Sequence, residues 1–178
     1  MPRIDNKALA SLLLSLAITA LALWLGPQLS QQQLAAWGYL GVFVMMLVSS
    51  ATVILPVPGL AVVFVLGHYT NPLLLGIAAG LGSGLGELTG YLAGYGAEGL
   101  FRKKEGARYR ALRDWMFKQN HGALALFFLA LIPNPAFDLA GIVAGATRYT
   151  WWKFLAAVIL GKTIRSIALA WLGSKLWF

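Results

Sequence analysis

ALALFFLALIPNPAFDLAGIVAGATRYTWWK, residues 123–153, is the stretch whose reading decides the fold. Residues 123–132 are apolar throughout, but a helix needs about 20 such residues to cross a hydrocarbon core of about 30 Å. The run stops at Pro133-Asn134-Pro135. Two prolines one residue apart cannot continue a helix, because each lacks an N–H and pushes its predecessor out of the helical region. A second short apolar arm, 136–146, returns to the polar and aromatic corner Arg148-Tyr149-Thr150-Trp151-Trp152-Lys153. Short arms on both sides of such a break predict a re-entrant hairpin that turns at membrane depth.

The same pattern occurs upstream. Residues 37–55 are apolar and end at Leu55-Pro56-Val57-Pro58-Gly59, and a shorter arm, 60–67, stops at His68-Tyr69-Thr70-Asn71-Pro72. Pro56 and Pro133 are 77 residues apart, as are Gly84 and Gly161, while Glu87 and Arg165 are 78 apart. Each break is followed by an arm, a corner and a helix long enough to span, 73–97 in one half and 154–176 in the other. A repeated hairpin-plus-helix unit is the simplest account. Residues 37–55 alone could also cross fully, and the repeat favours the hairpin. Gly76, Gly80 and Gly84 lie four apart, as do Gly82, Gly86, Gly90 and Gly94. Small residues at that spacing let helix backbones approach closely in lipid, within one chain or in a homo-oligomer.

Composition agrees with lipid as the solvent. The chain of 178 residues is 59% hydrophobic and 11% charged, against about 25% charged in a soluble domain. Residues 8–25 form an uncharged apolar run after Arg3 and Lys7, longer than a signal-peptide core and without a small-residue cleavage site at Gly26-Pro27. A retained first helix is expected there, followed by a polar surface segment from Gln28 to Gln33. The expected architecture is an all-α integral membrane protein with about three spanning helices and two opposed re-entrant hairpins. Residues 1–36 hold the N-terminal helix and polar segment. Residues 37–178 form the membrane domain, with repeat one at 37–99, a basic loop at 100–120 and repeat two at 121–178.

Half of the fourteen basic residues fall in the loop, as Arg102, Lys103, Lys104, Arg108, Arg110, Arg113 and Lys118. In a soluble chain such a run would suggest nucleic acid. In this apolar one it marks a cytoplasmic loop, attracted to anionic headgroups. Helix 73–97 then runs inward and helix 154–176 outward, so the repeats are inverted. Paired broken segments in inverted halves point to a site near the bilayer midplane. A prokaryotic inner (plasma) membrane is the expected location. No cysteine and only two histidines, His68 and His121, leave no basis for thiol catalysis or a Cys/His metal site. No nucleophile, base and orienting group can be assembled, so neither an enzyme nor a cofactor is expected.

LIPNPAFDLAGIVAG (131–145), with GKTIR (161–165) and LPVPG (55–59), resembles the DedA and vacuole membrane protein (VTT-domain) superfamily, most closely the vacuole membrane protein branch. The likeness covers residues 37–175. It implies two facing re-entrant loops and passage of lipids between leaflets. Many DedA members carry a glutamate four residues before the first proline, where this chain has Thr52, and an arginine after the second hairpin's proline, where it has Asn134 to Asp138. The resemblance therefore speaks more for lipid passage than for proton coupling.

The candidate translocation path comprises Pro56, Pro58, Glu87, Pro133, Asn134, Pro135, Asp138, Lys162 and Arg165. A charge at membrane depth needs a partner, so Glu87 and Arg165 are expected to pair across two helices, with Lys162 on the arginine's face. Asp138 reads as a cap on the returning arm or as a headgroup contact. Lipid translocation, of phospholipid or polyprenyl phosphate, is the leading expectation. A proton-coupled small-solute transporter and a membrane-shaping scaffold are the alternatives. Single cysteines test the topology directly in this Cys-less chain. An impermeant thiol reagent should label position 108 only from the cytoplasm, and positions 57 and 134 from opposite sides; labelling of 108 in intact cells would reverse the orientation.

Overall fold

The computed structural model describes residues 31–51, 59–98, 107, 110–111, 113–116, 121–132 and 136–176, the side chains of 31–37, 136 and 138 excepted. Pro56, Pro58, Pro133, Asn134 and Pro135, and the expected helix at 8–25, lie outside the described residues. Every described element is helical: α1 Gln31–Ala51, α2 Gly59–Tyr69, α3 Pro72–Gly86, α4 Leu88–Gly96, α5 His121–Leu131, α6 Ala136–Ala146 and α7 Trp151–Leu176. α3 and α4 follow one another directly and make a 25-residue apolar helix, Pro72–Gly96; α7 has 26 residues. Both are long enough to cross a bilayer core.

Local chemistry explains the ends. Asn71 caps α3, its Oδ1 accepting from the N–H groups of Leu73 at 3.0 Å and Leu74 at 3.2 Å, with Pro72 at the first helical position. This gives Asn71 a structural duty at the corner. α6 ends with Arg148 at φ 55°, where the Arg148 N–H bonds Gly145 O and the Tyr149 N–H bonds Ala144 O, both at 2.9 Å. That is the Schellman closure with arginine in the place glycine usually takes. Two sequence expectations are corrected. Gln31 to Gln33 belong to α1 rather than to a surface segment, and Trp151 to Lys153 open α7 rather than forming the corner.

The two glycine ridges serve different partners. A β-carbon at Gly76, Gly80 or Gly84 would overlap Ile167, Thr163 or Ile159 of α7, in falling order, so α3 and α7 run antiparallel at close range. Gly82 and Gly86 lie against the carbonyls of Phe43 and Leu47, in rising order, so α1 runs parallel to α3. The glycines named for a homo-oligomer are thus engaged within the chain.

The shorter helices pack mainly on the long helices and little on each other. α1 lies on α3 and α2 on α7, while α5 lies on α7 and α6 on α4. The cross-contacts match in detail. Gly67 meets Ala170 and Gly173 meets Phe64; Gly145 meets Tyr91 and Gly94 meets Ile142, each residue 78 or 79 positions from its counterpart. The arms differ in length, 21 residues in α1 against 11 in α5. α1 starts six residues before the apolar run expected at 37–55, and its apolar part is Gly38–Ala51. Leu40, Val44 and Val48 on α1, and Leu124 and Phe128 on α5 with Ile132 just after it, form exposed apolar stripes at one-turn spacing, as suits a surface facing lipid.

Gly80→Ala should destabilise the fold by about 1–3 kcal/mol, because Thr163 backbone occupies the space. Gly41→Ala, with nothing within 4 Å, should be neutral or stabilise by up to about 1 kcal/mol. Thermal unfolding in detergent separates the two; equal effects would mean that α3 and α7 are not in close contact.

Candidate functional site

At mid-length of the two long helices, Glu87 and Lys162 form an ion pair while only 3% and 4% exposed. Glu87 stands where α3 gives way to α4. Its N–H bonds Ser83 O at 3.3 Å and its carbonyl accepts from the Tyr91 N–H at 3.1 Å, so the backbone passes through with little interruption. Lys162 projects from α7, donates to Glu87 Oε1 and reaches Ser50 Oγ at 3.3 Å and Ser83 O at 3.5 Å. The Phe137 ring lies 5.0 Å from its Nζ, adding a cation–π contact from α6. One ammonium thus gathers groups from α1, α3, α6 and α7. Burying both charges costs several kcal/mol each, offset by their attraction and the remaining hydrogen bonds.

Lys162, not Arg165, is the partner of Glu87, which corrects the expected pairing. Arg165 lies one turn further along α7, within the electrostatic influence of Glu87, and its buried Nε has no hydrogen-bond partner among the described residues. The reason is geometric. Glu87 and Arg165 are equivalent by repeat spacing, but antiparallel helices bring together residues whose numbers run in opposite directions. The register that places Gly80 on Thr163 and Gly84 on Ile159 sets Lys162 between those two glycines, from where its long side chain reaches Ser83 O and Glu87, whereas Arg165 falls nearly a turn further away.

Asp138 is the third residue of α6, inside its first turn and not ahead of it as a cap would be. Ser83 and Thr89 donate to the carbonyls of Gly80 at 3.3 Å and Gly86 at 2.9 Å, as membrane hydroxyls commonly do. Ser50 and Phe137 escaped the sequence reading. Neither carries a signal of its own, since a serine and a phenylalanine are ordinary in such helices. At the α6–α7 corner, Glu98 pairs with Arg148. Arg148 also donates to Tyr95 Oη at 2.7 Å and lies over its ring. Burial raises the Tyr149 phenol above the ordinary range, and the Ala123 backbone works against that rise. The described residues contain no group of three acidic, His or Cys side chains that would hold a metal.

Long apolar helices, short apolar arms, outward aliphatic stripes and a buried ion pair define a helical membrane protein. The VTT domain matches residues 57–175, and this chain belongs to that family, the DedA and vacuole membrane protein superfamily. It is 34% identical over 59 residues to vacuole membrane protein KMS2 of Arabidopsis thaliana, covering 32% of this chain and 14% of that one. It is 44% identical over 45 residues to the vacuole membrane protein 1 homolog of Dictyostelium discoideum, covering 25% and 11%. To vacuole membrane protein 1 of Homo sapiens it is 44% identical over 46 residues, covering 26% and 11%. The aligned part is thus a small fraction of these relatives' length. They are eukaryotic, and lend nothing to a prokaryotic plasma membrane as the location. No solved structure matches the chain.

Glu87→Gln strands the Lys162 charge and should cost about 3–5 kcal/mol, visible as lost folded yield. Adding Lys162→Met should restore part of that loss, whereas adding Arg165→Gln should not. Recovery with Arg165→Gln instead would return the pairing to the arginine.

Proposed function

We propose that this chain moves lipids between the leaflets of its membrane, phospholipid or polyprenyl phosphate, headgroup along a polar path and acyl chains in lipid. The observation that carries this reading is the Glu87–Lys162 pair at mid-length of the long helices, with Arg165 one turn away. Glycine contacts already hold α3 to α7, so packing does not require charges there. Charged groups at membrane depth are costly and commonly mark substrate or ion pathways. Lys162 and Arg165 suit a phosphate in transit, and Glu87 neutralises the site when it is empty.

The reading takes the two halves as inverted repeats, each a re-entrant hairpin and a spanning helix. The antiparallel long helices and the matched cross-contacts of Gly67 with Ala170 and Gly145 with Tyr91 support it. Pro56, Pro58, Pro133 and Pro135 would break the arms near the midplane, where Asn134 and Asp138 would join the path. The basic loop at 102–118 is assigned to the cytoplasmic side. No chemical step is assigned, and a homo-oligomer would have to use a face other than the glycine ridges.

The test is a scrambling assay on the purified chain in liposomes, with fluorescent lipid in both leaflets and an impermeant quencher outside. Quenching should pass beyond the outer leaflet. Asp138→Asn should stay folded and slow exchange about tenfold, as expected from losing one charge-assisted contact at a transit point. No exchange by the folded parent chain would overturn the proposal.

A further inference from the structure

Between α5 and α7 the surface opens into an apolar groove of about 600 Å³. Leu124 and Phe127 of α5 form one wall, and Ala156 and Leu160 of α7 the other. Its mouth carries Trp152 and Lys153, the ammonium 5.5 Å from the indole ring centre. From Lys153 to Leu160 is seven helical residues, about 10 Å, so the groove runs from one end of α7 toward mid-membrane, within one leaflet.

The matched contacts of the two halves set equivalent positions of the long helices 79 residues apart, so Trp152 and Lys153 correspond to Leu73 and Leu74. A cation and an indole therefore stand at the mouth of this groove where the other half has two exposed leucines. The same end of the molecule carries Arg148, and Thr147 bonds Met116 from the helical residues 113–116 of the basic segment.

We infer that the α5–α7 groove binds one acyl chain of an anionic phospholipid from the leaflet on the basic side, with Lys153 and Trp152 holding its headgroup at the interface. An apolar slot with a cation and an amphipathic aromatic ring at one end fits that chemistry. The site is separate from the Glu87–Lys162 pair and does not depend on lipid crossing the bilayer.

The purified full-length chain is placed in neutral-lipid liposomes containing a trace of phosphatidylglycerol with a photoreactive group at its chain end. After illumination, labelled peptides are mapped. Labelling should concentrate on 124–127 and 156–160, and be competed by unlabelled phosphatidylglycerol but not by phosphatidylcholine. Ala156 is exposed, so Ala156→Trp fills the groove without entering the core and should abolish the labelling. Lys153→Gln leaves the walls intact and should weaken competition about tenfold, the loss of one charge-assisted contact. Labelling equally strong on the α1 stripe at Leu40, Val44 and Val48 would overturn the proposal, as would equal competition by the neutral lipid. So would a disulfide between cysteines introduced at 156 and within 8–25, or between cysteines at 156 of two copies. Scrambling measured on the same liposomes keeps the two proposals apart. Groove labelling without exchange removes translocation and leaves the groove standing, and exchange without labelling does the reverse.

Discussion

A lysine can remain charged inside an apolar bundle only if an anion meets it there, and Lys162 has Glu87. That requirement constrains everything around it. The two side chains come from different long helices, so those helices must pass closely at one register. The glycines at 76, 80 and 84 permit that approach by leaving room for Thr163 and its neighbours on α7. Ser50 and Phe137 complete the shell from arms belonging to different hairpins. Moving any one of these helices would cost the ammonium one of its contacts.

The halves of the molecule are alike in plan and unequal in detail. Each short arm trades its backbone contact with the long helix of the other half, Gly67 on Ala170 and Gly145 on Tyr91. Such exchange ties the halves together more firmly than packing within each hairpin would. The first arms differ in length: the 21-residue α1 lies along α3, while the 11-residue α5 meets a shorter stretch of α7. One long helix is therefore buried on most of its sides and the other shows much of its surface to lipid. In a membrane the apolar exposure of Leu160, Ile164 and Trp171 costs nothing, because lipid is as apolar as a protein core.

The corners show how polar groups are disposed of at the membrane surface. Asn71 caps α3 with its own side chain, and Arg148 takes a left-handed turn whose strain is offset by contacts with Glu98 and Tyr95. Each corner lets a helix reverse with few of its backbone groups unpaired.

The sequence by itself determined the class of the protein and the approximate positions of its described helices. Apolar run length and proline spacing are local properties, and lipid leaves few alternatives to helix. It also determined that Glu87, Lys162 and Arg165 lie at membrane depth, since their distance along an apolar run sets that directly. Which cation meets the glutamate was decided only by the tertiary structure. Repeat arithmetic pointed to Arg165, but antiparallel packing through the glycines brought Lys162 nearer to Glu87 than Arg165. The unequal length of the first arms was already legible in the apolar runs 37–55 and 123–132, and the structure extends α1 back over the polar Gln31 to Gln33. Pairing depends on the register between helices, and register is a relation between segments that no single segment encodes.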